Sequence, residues 1–181
     1  MPMKLNLYAE SNRLIYRPLQ EDDLDAMFEL DSDPEVHRYL GNKPIVSREE
    51  AAQVIRFVQQ QYRELGIGRW AIVEKETGEF VGWGGLKKVM ESGFVEAPYF
   101  DLGYRLLRRF WGNGYATENA FASKQYAFNQ LKSNQIFACA HQNNLASNSI
   151  LKKIGMHQIG EGFFEDEPLF WYKIENEMKH A

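Results

Sequence analysis

A glycine-containing turn between a predicted strand and a predicted helix is the part of this sequence best suited to bind an anion. The strand ends near Leu106, residues 111–114 read Trp-Gly-Asn-Gly, and the helix begins near Ala116. Glycine allows a positive φ and a close approach of the backbone to a ligand, and the first turn of a helix presents unpaired N–H groups. Positive charge precedes the turn at Arg105, Arg108 and Arg109. These features predict a phosphate site; the alternative is a tight strand–helix connection with surface arginines.

Two common phosphate motifs do not fit this turn. A Walker loop has Lys-Ser or Lys-Thr after its last glycine, and neither follows Gly114. A dinucleotide fingerprint would need a glycine where Thr117 stands, and it would follow the first strand of a βαβ unit. Both motifs are therefore excluded.

The remaining reactive residue types indicate structural roles. Cys139 lies in the apolar segment Ile-Phe-Ala-Cys-Ala, which predicts a buried thiol rather than a nucleophile. It is the only cysteine, so an intrachain disulfide is excluded. Metal-ligand spacing with acidic residues is missing around His141, His157 and His180. We therefore expect no metal site.

The elements that position the turn follow from apolar periodicity and turn signals. Strands are predicted at 13–18, 69–74, 80–86, about 95–106, 135–140, about 158–164 and 169–174. Helices are predicted at 21–31, from Ser47 to about Gly66, at about 116–131 and at 146–154. Ser47 and Glu50 form a capping box at the start of the second helix. This order predicts a mixed α/β fold with one central sheet.

Composition and charge limit the class of protein. With 181 residues, 44% hydrophobic and 25% charged, the chain matches globular averages, which excludes a disordered chain, a collagen and a coiled coil. Its 21 basic and 25 acidic residues give a net charge of −4, which disfavours nucleic-acid binding because phosphate contacts need clustered cations. No apolar run approaches the ~20 residues of a membrane span, and residues 1–12 lack a signal-peptide pattern. We expect a single cytoplasmic domain over residues 1–181 without a nucleic-acid or membrane partner.

Four segments, in this order, resemble the GNAT N-acetyltransferase superfamily, and most of all its RimJ/RimL-like branch of ribosomal-protein N-terminal acetyltransferases. They are the strand at 13–18 with the acids after it, 81–86 (Val-Gly-Trp-Gly-Gly-Leu), 101–104 (Asp-Leu-Gly-Tyr) leading to 111–118, and 144–147 (Asn-Leu-Ala-Ser) leading to 153–156. The resemblance implies a GNAT-like α/β fold (α+β mixed). Its central twisted sheet would be mostly antiparallel, splayed between the fourth and fifth strands, and flanked by helices.

The resemblance implies an acetyl-CoA-dependent N-acetyltransferase that transfers the acetyl group to a primary amine by direct attack in a ternary complex. Acetyl-CoA would lie in a V-shaped gap between the strand ending at Leu106 and the strand at 135–140. The phosphate motif of the superfamily falls on Trp111, Gly114 and Ala116, with tryptophan where Gln or Arg is usual. The implied cofactor-binding residues are Leu106, Trp111, Gly112, Asn113, Gly114, Tyr115, Ala116, Thr117 and Asn144. For Asn144 the alternative is a residue of a helix N-cap region.

Deprotonation of the amine requires a base, and Asp101 stands where relatives often carry a glutamate. Glu96 and Glu118 are weaker candidates. An N–H group of the strand near Leu106 would stabilise the developing oxyanion. The resemblance therefore implies Asp101 as the base, and a solvated strand residue is the alternative.

Protonation of the leaving thiolate is assigned to a tyrosine in many relatives, and Leu151 occupies that position here. Ser147 is therefore the candidate acid. Ser149, another tyrosine or water could replace it, or the thiolate could leave unprotonated. The acceptor amine is expected to meet His37, Tyr39 and Trp83, although His37 also fits a surface histidine and Trp83 also fits the core.

The identity of the acceptor stays open at this stage. A protein N-terminus and a small-molecule amine such as a polyamine or an aminoglycoside are both compatible with the pattern. A catalytically silent acetyl-CoA-binding module is the alternative from another functional class, because the family tyrosine is missing at Leu151. A monomer and a homodimer are both compatible with the pattern.

Overall fold

The fold is organised around one eight-stranded sheet in the computed structural model, which describes residues 8–177. The strands are β1 Ala9–Glu10, β2 Leu14–Pro18, β3 Trp70–Glu74, β4 Phe80–Val89, β5 Tyr99–Leu106, β6 Gln135–His141, β7 His157–Phe164 and β8 Glu167–Glu175. Across the sheet their order is β1-β2-β3-β4-β5-β6-β8-β7. Every neighbouring pair is antiparallel except β5 and β6. The predicted mixed α/β fold is confirmed.

Helices flank this sheet, and their ends follow local chemistry. They are α1 Leu24–Ser32, α2 Pro34–His37, α3 Arg48–Leu65, α4 Tyr115–Asn129 and α5 Leu145–Lys153. Ser47 caps α3 by accepting a hydrogen bond from the Glu50 N–H at 3.3 Å, so the predicted N-cap is confirmed. The predicted capping box is not completed, because the Glu50 carboxylate accepts from the Val46 N–H and the Ser47 hydroxyl instead of the Ser47 N–H. Pro34 has no N–H and disfavours a helical residue before it. The chain therefore leaves α1 at Asp33, which is extended and caps α2.

A gap opens between β5 and β6, as predicted. These parallel strands share one register pair, Asp101 with Phe137, whereas β5 pairs with β4 along its whole length. Beyond Asp101 the two strands diverge, and the edge of β5 that faces β6 has no strand partner among the described residues. We call the space between residues 102–106 and 138–141 the gap. A ligand with amide groups could pair with this edge as an added strand does.

The two faces of the sheet are distinguished by adjacent residues of β5. Tyr104 contacts Ser147 of α5, whereas Arg105 pairs with Asp31 of α1. Successive side chains of a strand point to opposite faces, so α1 and α5 lie on opposite sides, which we call the α1 face and the α5 face. On the α5 face, α4 and α5 pack in one apolar cluster that includes Leu102, Ala120, Ile136, Leu151 and Tyr172.

Several elements differ from the sequence-based prediction. Strand β1 and helix α2 were not predicted, because segments of two and four residues carry no periodicity. Strand β5 begins at Tyr99 rather than near residue 95, and Pro98 before it cannot donate to a sheet ladder. His180 and residues 1–7 lie outside the described part of the chain. Within residues 8–177, no helix combines the length and hydropathy needed to cross a membrane.

Candidate functional site

The glycine turn leads into a helix whose first N–H groups have no side-chain cap. Gly112 and Gly114 have φ of +76° and +80°, a region that other residues rarely adopt. Gly114 is the N-cap of α4, and Tyr115, Ala116 and Thr117 are its first three residues. The Tyr115 side chain is buried, so only its amide is available to a ligand. The geometry of these amides suits an anion, as the prediction from the sequence requires.

Arg13 holds the turn from outside the predicted motif. Its Nη1 donates to the Asn113 carbonyl at 2.9 Å, and its Nε donates to Glu118 at 2.8 Å. Its guanidinium also lies 4.4 Å from the centre of the Tyr115 ring. Burial opposes ionisation of Glu118, but hydrogen bonds from Ser11 and Arg13 lower its pKa below the usual value. Glu118, a weaker candidate base in the sequence, thus stabilises the start of α4.

The basic cluster before the turn is neutralised by the end of α1. Each arginine has an acidic partner: Arg105 pairs with Asp31 at 2.5 Å, Arg108 pairs with Asp33 at 3.1 Å, and Arg109 pairs with Glu29. We call these three pairs the arginine ladder. Asp31 is 1% exposed. Burial opposes its ionisation, yet hydrogen bonds from His37 and Arg105 lower its pKa. The ladder attaches α1 to the end of β5 instead of presenting three free cations.

Trp111 connects the turn to the gap. Its Nε1 donates to the Leu106 carbonyl at 2.9 Å, and the indole is 46% exposed. The N–H of Leu107 donates to Val81 of β4. Successive residues of a strand direct their N–H groups to opposite edges, so the Leu106 N–H faces the gap. This N–H therefore lies where the strand donor was expected, and its role toward an oxyanion stays a prediction.

On the α5 face, the first turn of α5 borders the gap. The Asn144 Oδ1 accepts a hydrogen bond from the Ser147 N–H at 3.1 Å, so Asn144 is the N-cap of α5. The structural alternative for Asn144, a helix N-cap, is therefore confirmed. The Nδ2 atom is the polar side-chain atom of Asn144 that could still contact a cofactor. The Ser147 hydroxyl lies 3.1 Å from the Tyr104 hydroxyl. The two predicted catalytic residues, Asp101 and Ser147, lie on opposite faces.

Asp101 is bound to a guanidinium at the closed end of the gap. Arg69 Nη2 donates to Asp101 Oδ2 at 2.6 Å, and Arg69 Nη1 donates to the Asp101 carbonyl at 2.6 Å. Lys87 Nζ lies 4.0 Å from the same carboxylate oxygen. Arg69 lies flat over Gly103, where a Cβ would come within 2.6 Å of Nη2. A proton transferred from an amine to Asp101 would weaken this ion pair.

The three predicted acceptor residues separate into two places. His37 is 7% exposed and lies with Asp31 beneath the arginine ladder. Trp83 stacks with Arg105 at 5.2 Å. Tyr39 instead reaches the open end of the gap, where its ring centre lies 5.2 Å from that of His141. Only Tyr39 therefore borders the opening on the α1 face.

His141 and Glu167 form a pair that the sequence did not indicate. The His141 Nδ1 accepts a hydrogen bond from the Asn143 N–H at 3.0 Å, so the neutral ring carries its proton on Nε2. Nε2 lies 2.9 Å from Glu167 Oε2. This pair adjoins Tyr39 at the end of β6. The described residues contain no group of three or more His, Cys, Asp or Glu side chains suited to a metal ion.

Acetyl-CoA fits the residues at this site. The uncapped α4 N-terminus matches the charge of a pyrophosphate. The unpaired edge of β5 matches the amides of pantetheine. Because Trp111 bridges the turn and Leu106, these two features are continuous. One extended ligand could therefore bind both.

Sequence comparisons agree with this fit. A family model described as an acetyltransferase (GNAT) domain matches residues 13–157. The chain is 31% identical over 151 residues to the uncharacterized N-acetyltransferase YoaA of Bacillus subtilis (strain 168), covering 83% of each chain. It is 30% identical over 168 residues to the FsC-acetyl coenzyme A-N(2)-transacetylase of Aspergillus fumigatus, covering 91% of this chain and 70% of the relative.

Solved structures share the fold. RimL, a ribosomal L7/L12 alpha-N-protein acetyltransferase in complex with coenzyme A, has a TM-score of 0.77 at 16% identity, over 94% of this chain and 98% of that chain. The spermidine N-acetyltransferase of Vibrio cholerae, in complex with CoA and spermine, has a TM-score of 0.73 at 16% identity. The match covers 91% of this chain and 96% of that chain. The family match covers most of the sequence, so this chain belongs to the GNAT acetyltransferase family.

Proposed function

We propose that this chain is an acetyl-CoA-dependent N-acetyltransferase that moves an acetyl group to a primary amine by direct attack. The observation that carries the proposal is the continuity of the uncapped α4 N-terminus with the open edge of β5. Membership of the GNAT family supports the donor. The RimL and spermidine N-acetyltransferase folds support two acceptor classes, a protein N-terminus as in the RimJ/RimL branch and a small amine.

Each part of the site has a distinct task in this proposal. When bound, acetyl-CoA supplies a thioester whose carbonyl carbon the amine attacks. The amides of residues 112–117 bind the phosphates, and the edge of β5 aligns the pantetheine arm. The Leu106 N–H stabilises negative charge on the carbonyl oxygen. The Ser147 hydroxyl faces the leaving sulfur from α5.

Two carboxylates are candidates for receiving the proton of the amine. Asp101 is the candidate from the sequence, but its Oδ2 is held by Arg69. Glu167 lies at the open end of the gap and is oriented by His141. We infer that Glu167 attracts the ammonium group and takes its proton, directly or through water, because its partner His141 lies against Tyr39 at the opening.

A catalytically silent acetyl-CoA-binding module is the second candidate function. It is favoured by Leu151, which replaces the family tyrosine, and by the ion pair of Asp101 with Arg69. Such a module would bind acetyl-CoA without releasing coenzyme A when an amine is added. Turnover therefore separates the two functions.

The test is an acceptor screen followed by the release of the coenzyme A thiol. Peptides with free N-termini, spermidine and an aminoglycoside are compared, with an N-acetylated peptide as the control. Amine-dependent release that disappears in Gly114→Asp supports the enzyme. Binding of acetyl-CoA without release for every amine would support the silent module, and no binding would reject both functions.

A further inference from the structure

Two hydroxyl groups meet across the gap on its α5 face. Tyr104 belongs to β5, and Ser147 belongs to the helix that follows β6, yet their oxygens are 3.1 Å apart. β5 and β6 no longer pair at this level. The hydrogen bond therefore links the two sides of the space in which the proposed cofactor would lie. The N-cap by Asn144 fixes the backbone of Ser147 from the other side.

The chemistry of the pair determines which group donates. A phenol is a stronger hydrogen-bond donor than an aliphatic alcohol, and the alcohol oxygen is the better acceptor. Burial raises the pKa of Tyr104 to about 12 although the hydrogen bond with Ser147 opposes that shift, so the phenol keeps its proton at neutral pH. With the Tyr104 O–H directed at Ser147 Oγ, the proton of Ser147 is available to the gap.

We propose that Tyr104 is a positioning residue that orients the Ser147 hydroxyl toward the sulfur of coenzyme A and thereby stabilises the leaving thiolate. The inference rests on the proposed function. In the step, the bond between the amine nitrogen and the acetyl carbon forms, and the carbon–sulfur bond breaks. Its electron pair passes to sulfur, which accepts a hydrogen bond from Ser147. Tyr104 keeps its proton throughout, and the amine proton leaves through the carboxylate or water on the α1 face.

This arrangement accounts for the replacement of the family tyrosine at Leu151. Leu151 is buried in the cluster beneath α5 and has no polar group. A tyrosine hydroxyl is nevertheless present at the gap, supplied from the opposite side by β5. The donor to sulfur is then the serine, and the tyrosine acts through it.

The test measures binding of coenzyme A itself, in addition to activity. Isothermal titration calorimetry compares coenzyme A with desulfo-coenzyme A, which lacks the sulfur, from pH 7 to pH 9.5. A thiol such as that of cysteine titrates near ~8.5, so the thiolate is the dominant ligand at the upper pH. In the parent protein, the affinity for coenzyme A relative to the desulfo compound should rise with pH. Tyr104→Phe should reduce this rise by about tenfold, the order expected for a hydrogen bond to a charged group.

A matched control is available in the same cluster. Tyr172 donates its hydrogen bond to Asn148 of α5 at 2.7 Å and not to Ser147. Tyr172→Phe therefore removes a buried tyrosine hydroxyl bonded to the same helix, and it should leave the pH-dependent preference for coenzyme A unchanged. In turnover, Tyr104→Phe and Ser147→Ala should each lower kcat, and the double variant should lose no more than Ser147→Ala alone.

The outcomes separate the two levels of the proposal. A Tyr104→Phe protein that keeps the parental preference overturns the role of Tyr104, and so does full additivity in the double variant. If Tyr104→Phe does not fold, the same titration is made with Ser147→Ala. An unchanged preference of that variant for coenzyme A over desulfo-coenzyme A also overturns the inference. If the parent binds neither ligand, the proposed cofactor site fails, and the role of Tyr104 fails with it.

Discussion

Asp101 and Glu167 carry the same chemical group and differ in what surrounds them. Asp101 is buried against Arg69, whose guanidinium also bonds the Gly85 and Asp101 carbonyls and so joins β4 to β5. Glu167 is partly exposed, and its Oε2 lies 2.9 Å from His141 Nε2 at the opening. An ion pair buried on both sides stabilises local structure, whereas a carboxylate at an opening can meet a cationic substrate.

Glu167→Gln should lower kcat by ~10²-fold, the usual contribution of a positioned base, without changing the affinity for acetyl-CoA. Raising the pH should partly restore the rate, because more of the amine is then already neutral. The measurement is a pH–rate profile with saturating acetyl-CoA. An unchanged profile would remove Glu167 from the mechanism.

Asp101→Asn should act mainly on stability. The substitution leaves Arg69 without its buried ionic partner and should cost about 3 kcal/mol of unfolding free energy. Chemical denaturation gives this value, and the folded variant should retain near-parental kcat. A large loss of kcat with unchanged stability would instead return the role of base to Asp101.

Cys139 should not carry the acetyl group. Burial raises the pKa of its thiol to about 12, so the reactive thiolate is scarce at neutral pH. Cys139→Ala should keep most of the activity, with at most a packing loss. Mass spectrometry of the protein quenched during turnover checks this directly, and an acetylated Cys139 would replace direct transfer by a covalent route.

At the scale of elements, the arginine ladder joins α1, which precedes residues 32–45, to the strand that precedes the glycine turn. Its buried pair, Arg105 with Asp31, lies beside His37, and the Asp31 carbonyl accepts a hydrogen bond from the Ile45 N–H at 2.9 Å. Asp31 therefore holds both ends of residues 32–45, the segment that contains Tyr39. Loss of this pair should make residues 32–45 more mobile while leaving the glycine turn at residues 111–114 intact.

Asp31→Asn should lower stability by about 3 kcal/mol at pH 7, because it removes the buried ionic partner of Arg105, which is itself only partly exposed. The folded-state pKa of Asp31 is lowered, so its contribution is present above the unfolded pKa of ~3.9 and is lost as the pH falls through the folded value. Thermal unfolding of both proteins from pH 7 to pH 3 should show the difference narrowing at low pH. A constant difference would contradict this electrostatic explanation.

Gly114→Asp should abolish the thermal stabilisation by acetyl-CoA, because it places a carboxylate against the phosphates at the α4 N-terminus. The matched control is Gly78→Asp. Gly78 also has a positive φ, +73°, and space around its Cβ position, but it lies in the β3–β4 turn. Gly78→Asp should lose a similar amount of stability in the absence of ligand, and its unfolding temperature should still rise by the parental amount when acetyl-CoA is added. Equal shifts in both variants would show that the anion site lies elsewhere.

Local signals were readable from the sequence, and contacts between distant segments were not. The helix N-cap at Ser47 and the glycine turn are each encoded within a few residues, so their positions were predicted. The Tyr104–Ser147 contact joins residues 43 apart, and the Arg69–Asp101 pair joins residues 32 apart. No periodicity encodes such pairs, because they depend on how strands and helices pack. Glu167 was missed for the same reason.

At the scale of the whole molecule, the sheet consists of five strands and three strands that meet at a single register pair, Asp101 with Phe137. The apolar cluster beneath α4 and α5 spans both parts. The gap side of this junction has backbone groups without strand partners. A cofactor bound there would supply the missing partners.

Hydrogen exchange should show this directly. The Tyr104 and Leu106 amides, at the open edge of β5, should exchange faster in the free protein than amides of the same strand that pair with β4. Acetyl-CoA should protect them together with the amides of residues 112–117. Mass-spectrometric or NMR exchange with and without acetyl-CoA provides the measurement. Protection confined to the turn would contradict binding along β5.

Trp111 gives the glycine turn an intrinsic optical label. Its half-exposed indole is bonded to the end of β5, whereas Trp70 is fully buried and Trp83 and Trp171 are largely covered. Indole emission moves to shorter wavelength when water around the ring is replaced by a ligand. Fluorescence of the unmodified protein can therefore follow filling of the turn in a stopped-flow instrument. The order in which donor and amine arrive then becomes a kinetic observable.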